Sequence, residues 1–264
     1  MNERCAAFRA LHHADRPLLL PNVWDHAGAA AFAARGYPAV GTTSLGVAAS
    51  VGLPDGAAAT RAETLRLARV LRRLPLLVTV DVEAGCADDP AAVAELAVEL
   101  AAHGVVGINL EDGRADGTLD PAELTAAKVA AVKAAAPGVF VNARTDTWWL
   151  GLPDPLPETL RRARAYEAAG ADGIFVPGTP DADTVAALVA GIDAPLNVLH
   201  RPGGPSLDDL HALGVARVST GSLLFRAALG AAVDTLDAIR SGTTPPTRSP
   251  SYDEVQRLSD ASRQ

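Results

Sequence analysis

Lysine is almost missing from this chain: Lys128 and Lys133 are the only two among 23 basic residues. Both fall inside one predicted helix, away from any strand end. Schiff-base chemistry, which needs a lysine amine at the reacting centre, is therefore excluded. Cysteine is as scarce. Cys5 and Cys86 make no disulfide framework and fit a reducing compartment. No residue is placed to lower the pKa of Cys86 or to act as its base, which argues against a thiolate nucleophile. No apolar run approaches the roughly 18 residues of a membrane span. The segment 1–16 is interrupted by Glu3, Arg4, Arg9, His12, His13 and Asp15, so no signal peptide is read and a cytoplasmic location is expected. A surplus of positive charge is also lacking, and the net charge of -8 argues against nucleic acid as a partner.

What the 264 residues do contain is a short repeating unit: an apolar run, a loop, then an alanine-rich helical stretch. Predicted strands are Leu18–Leu20, Ala39–Thr43, Leu76–Val82, Val105–Leu110, Val139–Ala143, Gly173–Val176, Pro195–Leu199 and Ala216–Ser219. Each is followed by a predicted helix: Asp25–Arg35, Arg61–Leu74, Pro90–His103, Pro121–Ala136, Glu158–Ala169, Asp181–Ala190, Ser206–Leu213 and Leu223–Ile239. Near-continuous apolar runs suit parallel strands covered on both faces. Gly36, Gly104, Gly170 and Gly214 stand where a left-handed helix C-cap is wanted, and Pro90 and Pro121 follow acidic residues as first-turn prolines do. Eight such units without a long linker predict one closed (β/α)₈ TIM barrel over residues 1–240, with an open doubly wound sheet as the alternative. Residues 241–264 read as a linker and a short polar segment, Tyr252 to Ser262.

In such a barrel, chemistry sits where strands run into the following loops. The third strand ends with Asp81 and Glu83, two apart and so expected on one face. The fourth ends with Glu111-Asp112. Carboxylates on adjacent strands either hold a hard cation, Mg²⁺ or Mn²⁺, or pair with arginines and solvent. Arg144 ends the fifth strand, as a bidentate anchor for a substrate carboxylate or as an internal partner of Asp146 or Glu111. Small residues from Thr42 to Gly46 let backbone amides converge on an anion, with the Ser44 hydroxyl beside them. Asn197 ends the seventh strand. Ser219-Thr220-Gly221-Ser222 either binds a phosphate or caps the last helix. His200 is an acid–base candidate or plain surface.

Taken in order, Pro21-Asn22-Val23-Trp24-Asp25, Thr43-Ser44-Leu45-Gly46, Gly52-Leu53-Pro54-Asp55, Asp81-Val82-Glu83-Ala84-Gly85, Asn109-Leu110-Glu111-Asp112, Asn142-Ala143-Arg144-Thr145-Asp146 and Gly214-Val215-Ala216-Arg217-Val218-Ser219 resemble the isocitrate lyase/phosphoenolpyruvate mutase superfamily. The resemblance implies a Mg²⁺-dependent barrel acting on small 2-oxo or 2-hydroxy acids through an enolate. It implies that Asp81, Glu83 and Glu111 hold the metal directly or through water, and that Asp55 lies over the substrate. Ser44, Leu45 and Gly46 would bind a carboxylate, and Arg144 and Asn197 would contact the substrate. It also implies a homodimer or homotetramer that exchanges the eighth helix.

The chain departs from the family pattern in the loop after the fourth strand. Lyases of the family carry Lys-Lys-Cys-Gly-His there, and mutases a Lys and an Asn-Ser pair; this chain has Glu111-Asp112-Gly113-Arg114-Ala115-Asp116-Gly117-Thr118. Asp112 and Asp116 are expected to repel a tricarboxylate. The lyases' Glu after the sixth strand is replaced by Val176-Pro177-Gly178. The expected reaction is cleavage of a C–C bond beside the carbonyl of a small 2-oxo acid, as in oxaloacetate decarboxylation. The alternatives are C–P cleavage or phosphomutase chemistry on a phosphonopyruvate-like acid, and a barrel that binds a metabolite without turnover.

Overall fold

The computed structural model describes residues 2–179, 181–246 and 248–260, so the end of the expected polar segment lies outside the described residues. The first barrel strand is split at Pro21, which has no N–H to give to a ladder. Its halves, β1 (Leu18–Leu20) and β2 (Asn22–Val23), pair in opposite directions around the ring. β2 pairs with β3 (Ala39–Thr42), and parallel pairing continues through β4 (Leu77–Asp81), β5 (Gly107–Glu111), β6 (Phe140–Arg144), β7 (Gly173–Val176), β8 (Leu196–Leu199) and β9 (Arg217–Ser219). β9 pairs back onto β1, which closes the barrel. Asn22 stitches the closure: its Oδ1 accepts the Thr220 and Gly221 amides, each at 3.0 Å.

The helices alternate with the strands: α2 (His26–Ala33), α3 (Ser44–Ser50), α4 (Arg61–Leu71), α5 (Pro90–Ala102), α6 (Ala122–Ala135), α7 (Pro155–Ala168), α8 (Ala182–Gly191), α9 (Leu207–Ala212) and α10 (Leu223–Ser241). The four C-cap glycines have φ between +83° and +97°, the left-handed geometry expected of them. Pro90 opens α5 behind an Asp89 cap. Pro121 instead takes the cap position of α6 itself, because the Asp120 carboxylate turns to Arg114 and Lys128.

Three helices lie outside the eight predicted units. α1 (Glu3–Leu11) plugs the lower end of the barrel: Phe8, fully buried, meets Phe140 edge-on, and the buried His12 ring stacks on Phe140. α3 replaces the loop expected after the second strand. α11 (Tyr252–Asp260) packs on α2.

The interior is layered. Phe8, Leu18, Leu20, Ala39 and Phe140 form an apolar floor. Above it lies a ring of buried polar residues, Thr79, Asn109, Asn142, Asn197 and Arg217. A Cβ on Gly107 would meet Phe8 at 2.9 Å, so only glycine fits there. α10 stands apart, with Leu229, Val233, Leu236 and Ile239 all more than half exposed on it.

Candidate active site

Above the polar ring, at the C-terminal ends of the strands, opens a cavity of about 290 Å³. Its charged lining consists of Asp55, Asp81, Glu111 and Asp146 against Arg114 and Arg144. Arg144 sits at the centre. Its Nη1 lies 2.6 Å from Glu111 Oε2, while Nε and Nη2 donate to the two Asp146 oxygens at 2.6 and 3.0 Å. The guanidinium also lies over the Phe175 ring, 5.6 Å from its centroid. Of the two roles open to Arg144, the structure shows the internal pairing. Burial opposes the Arg144 charge, but Glu111, Asp146 and Asp81 hold it firmly protonated.

Asp81, last in β4, and Glu111, last in β5, stand on neighbouring strands. Burial pushes both carboxyls up, Glu111 well above the ordinary range, against the pull of Arg144. A hydrogen bond from Ser44 partly offsets this at Asp81.

Glu83 is not with them. β4 ends at Asp81 and Glu83 has φ +54°, so strand alternation stops before it and its side chain turns aside. Its carboxylate accepts the Ala58 amide at 2.9 Å and the Thr60 hydroxyl at 3.0 Å, bracing the loop that carries Asp55. Asn197 is also displaced from its expected place. It lies in the polar ring beneath the cavity, taking the Ser219 hydroxyl at 3.1 Å, and Leu199 lines the cavity above it. Ser44 and Leu45, in the first turn of α3, line the wall. Gly46 sits behind it, where a Cβ would meet Thr43 at 2.7 Å.

Asp112 does not face the cavity. It is fully buried, accepting from Tyr166 at 2.7 Å, Arg162 at 3.0 Å and the Asp146 amide at 2.8 Å. It therefore fixes the loops after β5 and β6 and is not placed to repel a ligand. Asp116 is exposed and holds Thr118. Ser222 makes no side-chain cap on α10, and the Thr220 and Gly221 amides go to Asn22, so that segment closes the barrel. Cys86 opens onto a neighbouring pocket, and burial, reinforced by Glu83, pushes its thiol to about 11. His200 does not line the cavity, and neither lysine does.

The model for phosphoenolpyruvate phosphomutase matches residues 8–240. The chain belongs to the phosphoenolpyruvate mutase/isocitrate lyase superfamily, a family of lyases and mutases. An uncharacterized protein of Mycobacterium tuberculosis is 46% identical over 96% of both chains. The oxaloacetate decarboxylase of Ectopseudomonas mendocina is 34% identical, covering 89% of this chain and 84% of its own. Among solved structures, a Burkholderia cenocepacia protein provisionally named a phosphonomutase superposes with a TM-score of 0.84 at 40% identity, covering 91% of this chain and all of its own. A phosphonopyruvate hydrolase bound to oxalate and Mg²⁺ shares the fold, with a TM-score of 0.84 at 24% identity over 98% and 96% of the chains.

A divalent metal fits the superfamily site in a restricted way. Among the described residues, no three His, Cys, Asp or Glu side chains gather as a ligand cluster. Asp81 and Glu111, however, are half-buried carboxylates whose desolvation outweighs the pull of Arg144. An all-oxygen pair suits Mg²⁺, which binds through one or two carboxylates and keeps waters and substrate oxygens for the rest. Sequence reading missed the apolar walls, Phe175, Leu199 and Trp149. For Phe175 a signal existed, since it stands at an inward position of its strand, in register with Arg144.

Proposed function

We propose that the protein is a Mg²⁺- or Mn²⁺-dependent lyase of the cytoplasm that breaks the C–C bond beside the carbonyl of a small 2-oxo acid, with oxaloacetate-type decarboxylation as the leading case. One observation carries the reading: Asp81 and Glu111 stand on adjacent strand ends, within the field of the Arg144 guanidinium, at the head of a cavity sized for a small acid. The match to an oxaloacetate decarboxylase over most of both chains supports it, as does the oxalate–Mg²⁺ complex of a protein of the same fold.

Asp81 and Glu111 would hold the cation, with Glu83 acting behind them through the loop of Asp55. When bound, the cation supplies a Lewis acid that draws electron density toward the keto oxygen. Arg144, whose Nε and Nη2 stay on Asp146, would offer its remaining Nη1, the atom that faces Glu111, to a substrate oxygen. The first turn of α3, Ser44 and Leu45, orients the carboxylate next to the carbonyl. Phe175, Leu199 and Trp149 would keep bulk water from the reacting carbon while the C–C bond breaks, its electron pair passes toward the keto oxygen and CO₂ leaves. A proton from solvent then restores the C–H bond, and Asp55 would close the cavity mouth.

The cavity would bind a small acid alone, with neither nucleic acid nor membrane as partner. The exposed apolar face of α10 supports a homodimer or homotetramer in which that helix packs on another copy. A specific observation favours C–P chemistry as a second reading: the 40% identical structure carries a phosphonomutase name. Steady-state turnover of 2-oxo acids and phosphonopyruvate with Mg²⁺ tests both. Release of CO₂ from oxaloacetate upholds the first reading, phosphate release or phosphoryl migration replaces it with the second, and binding of oxalate with no turnover would leave a metabolite-binding barrel.

A further inference from the structure

Arg114 and Arg144 are the positive side chains that line the cavity among the described residues, and they are held very differently. Arg144 is clamped between Glu111 and Asp146. Arg114 rides on the loop between β5 and α6, in a tight hairpin closed by its own amide donating to Thr118 O at 2.9 Å and by the Gly117 amide returning to Arg114 O at 3.0 Å. The hairpin base is pressed onto the site, since a Cβ on Gly113 would run into Asp146 Oδ2. The guanidinium meets Asp120 through Nε and Asp88 through Nη2 at 3.0 Å.

Neither partner depends on it. Asp120 is buried but has a second cation, Lys128 Nζ at 3.1 Å, itself fully buried and also tied to Ala84 O. Asp88 is 76% exposed, so water replaces the arginine there. Departure of Arg114 thus leaves no buried charge unpaired, the condition under which breaking an ion pair costs little. Departure of Arg144 would strand two carboxylates.

We infer that Arg114 is the specificity-determining cation of the site. It leaves Asp88 and takes the second carboxylate of a dicarboxylic 2-oxo acid, the group that departs or lies farthest from the carbonyl. The inference rests on the 2-oxo acid reading and narrows it. A second carboxylate entering a cavity lined by four acids is repelled unless a cation faces it. Arg114 is the cation there not locked to a carboxylate that depends on it, and its planar fork matches a carboxylate bidentately.

Calorimetry on the Mg²⁺-loaded protein tests this with two ligands: oxalate, which has no group beyond the chelating pair of carboxylates, and 3,3-difluorooxaloacetate, which adds a distal carboxylate. In Arg114→Gln, oxalate affinity should stay within about twofold, while the longer diacid should weaken by roughly 10- to 10²-fold, as for loss of charged hydrogen bonds. Arg114→Lys should recover only part of the loss. Asp88→Asn removes the parking partner alone and should leave diacid binding unchanged or tighter. Equal losses for both ligands in Arg114→Gln, or the same loss in Asp88→Asn, would overturn the inference in favour of a strut between loops. Failure of the unmodified protein to bind oxalate with Mg²⁺ would overturn instead the 2-oxo acid reading beneath it.

Discussion

Replacing Arg144 by glutamine removes the cation shared by Glu111, Asp146 and Asp81, and the size of the penalty follows from the site. Asp146 is 4% exposed and Glu111 12%, so without Arg144 the carboxylates cannot all stay ionised. The cheapest escape is to protonate one. At pH 7 that costs about 3–4 kcal/mol relative to the unfolded chain, whose carboxyls titrate near pH 4. The figure agrees with the roughly 3–5 kcal/mol for breaking a buried pair from one side. The penalty has a definite sign with pH. A carboxyl whose folded pKa is raised holds its proton at no cost below the unfolded value, and the cost grows as pH rises above it. Because burial already raises Glu111 with Arg144 in place, these are upper bounds. Urea unfolding of the metal-free protein in chelator should show Arg144→Gln destabilised by at most about 3–4 kcal/mol at pH 7 and by at most about 1 kcal/mol at pH 5. Arg144→Lys keeps the charge but satisfies one carboxylate instead of two, so it should lie between. It should still lose about 10²-fold or more in kcat/KM, as for loss of a preorganised donor. A pH-independent penalty, or near-normal kinetics in Arg144→Lys, would refute the picture of one cation balancing three acids.

Asp81→Asn should abolish Mg²⁺ binding in calorimetry while leaving the circular dichroism spectrum intact; unchanged affinity removes Asp81 from the metal site. Isocitrate and methylisocitrate should not be cleaved at a useful rate, because the loop after β5 offers no Cys, His or Lys and the Cys86 thiol is pushed to about 11 and opens onto another pocket. Glyoxylate or pyruvate release approaching about 10 s⁻¹ in a coupled assay sinks that expectation. His12, lowered to about 3 mainly by burial and then by Arg217, stays neutral in the fold while the unfolded chain protonates it below about pH 6.5. Its stabilising contribution is thus present above that pH and lost below it. From pH 7 to 4.5 the stability of the unmodified protein relative to His12→Leu should fall by about 2–3 kcal/mol, and a constant gap would show that His12 titrates freely.

The ring of strands was legible because each runs as an apolar stretch into a polar end, and the parallel order follows from alternation with helices. What escaped depended on contacts that no local pattern encodes. The apolar positions of α1 are few, and its function as a plug becomes visible only when Phe8 meets Phe140 across the barrel floor. Pro21 lies between two paired halves of one strand, and sequence alone cannot say that its missing N–H falls where the ladder changes sides. At the site, Asp81, Glu111 and Arg144 fall where the strand ends place them. Glu83 does not, because the two-residue alternation that put it beside Asp81 holds only while the strand continues, and β4 stops at Asp81.

Asp112 shows the same limit from the other side. Its position directly after Glu111 reads as a second site carboxylate, yet the chain turns there and the side chain enters the wall between β5, β6 and α7. Arg162 and Tyr166, one turn apart on α7, meet it there. Spacing on α7 marks those two as neighbours, but nothing marks which acid they serve. The distinction matters because the two carboxylates have opposite electrostatics. Asp112 is satisfied by three donors and fixes the loops, whereas Glu111 shares one arginine with two other acids and is left short of positive charge. A cation is drawn to the under-compensated acid, so adjacent residues of like charge divide into scaffold and ligand according to where the arginines of other elements arrive.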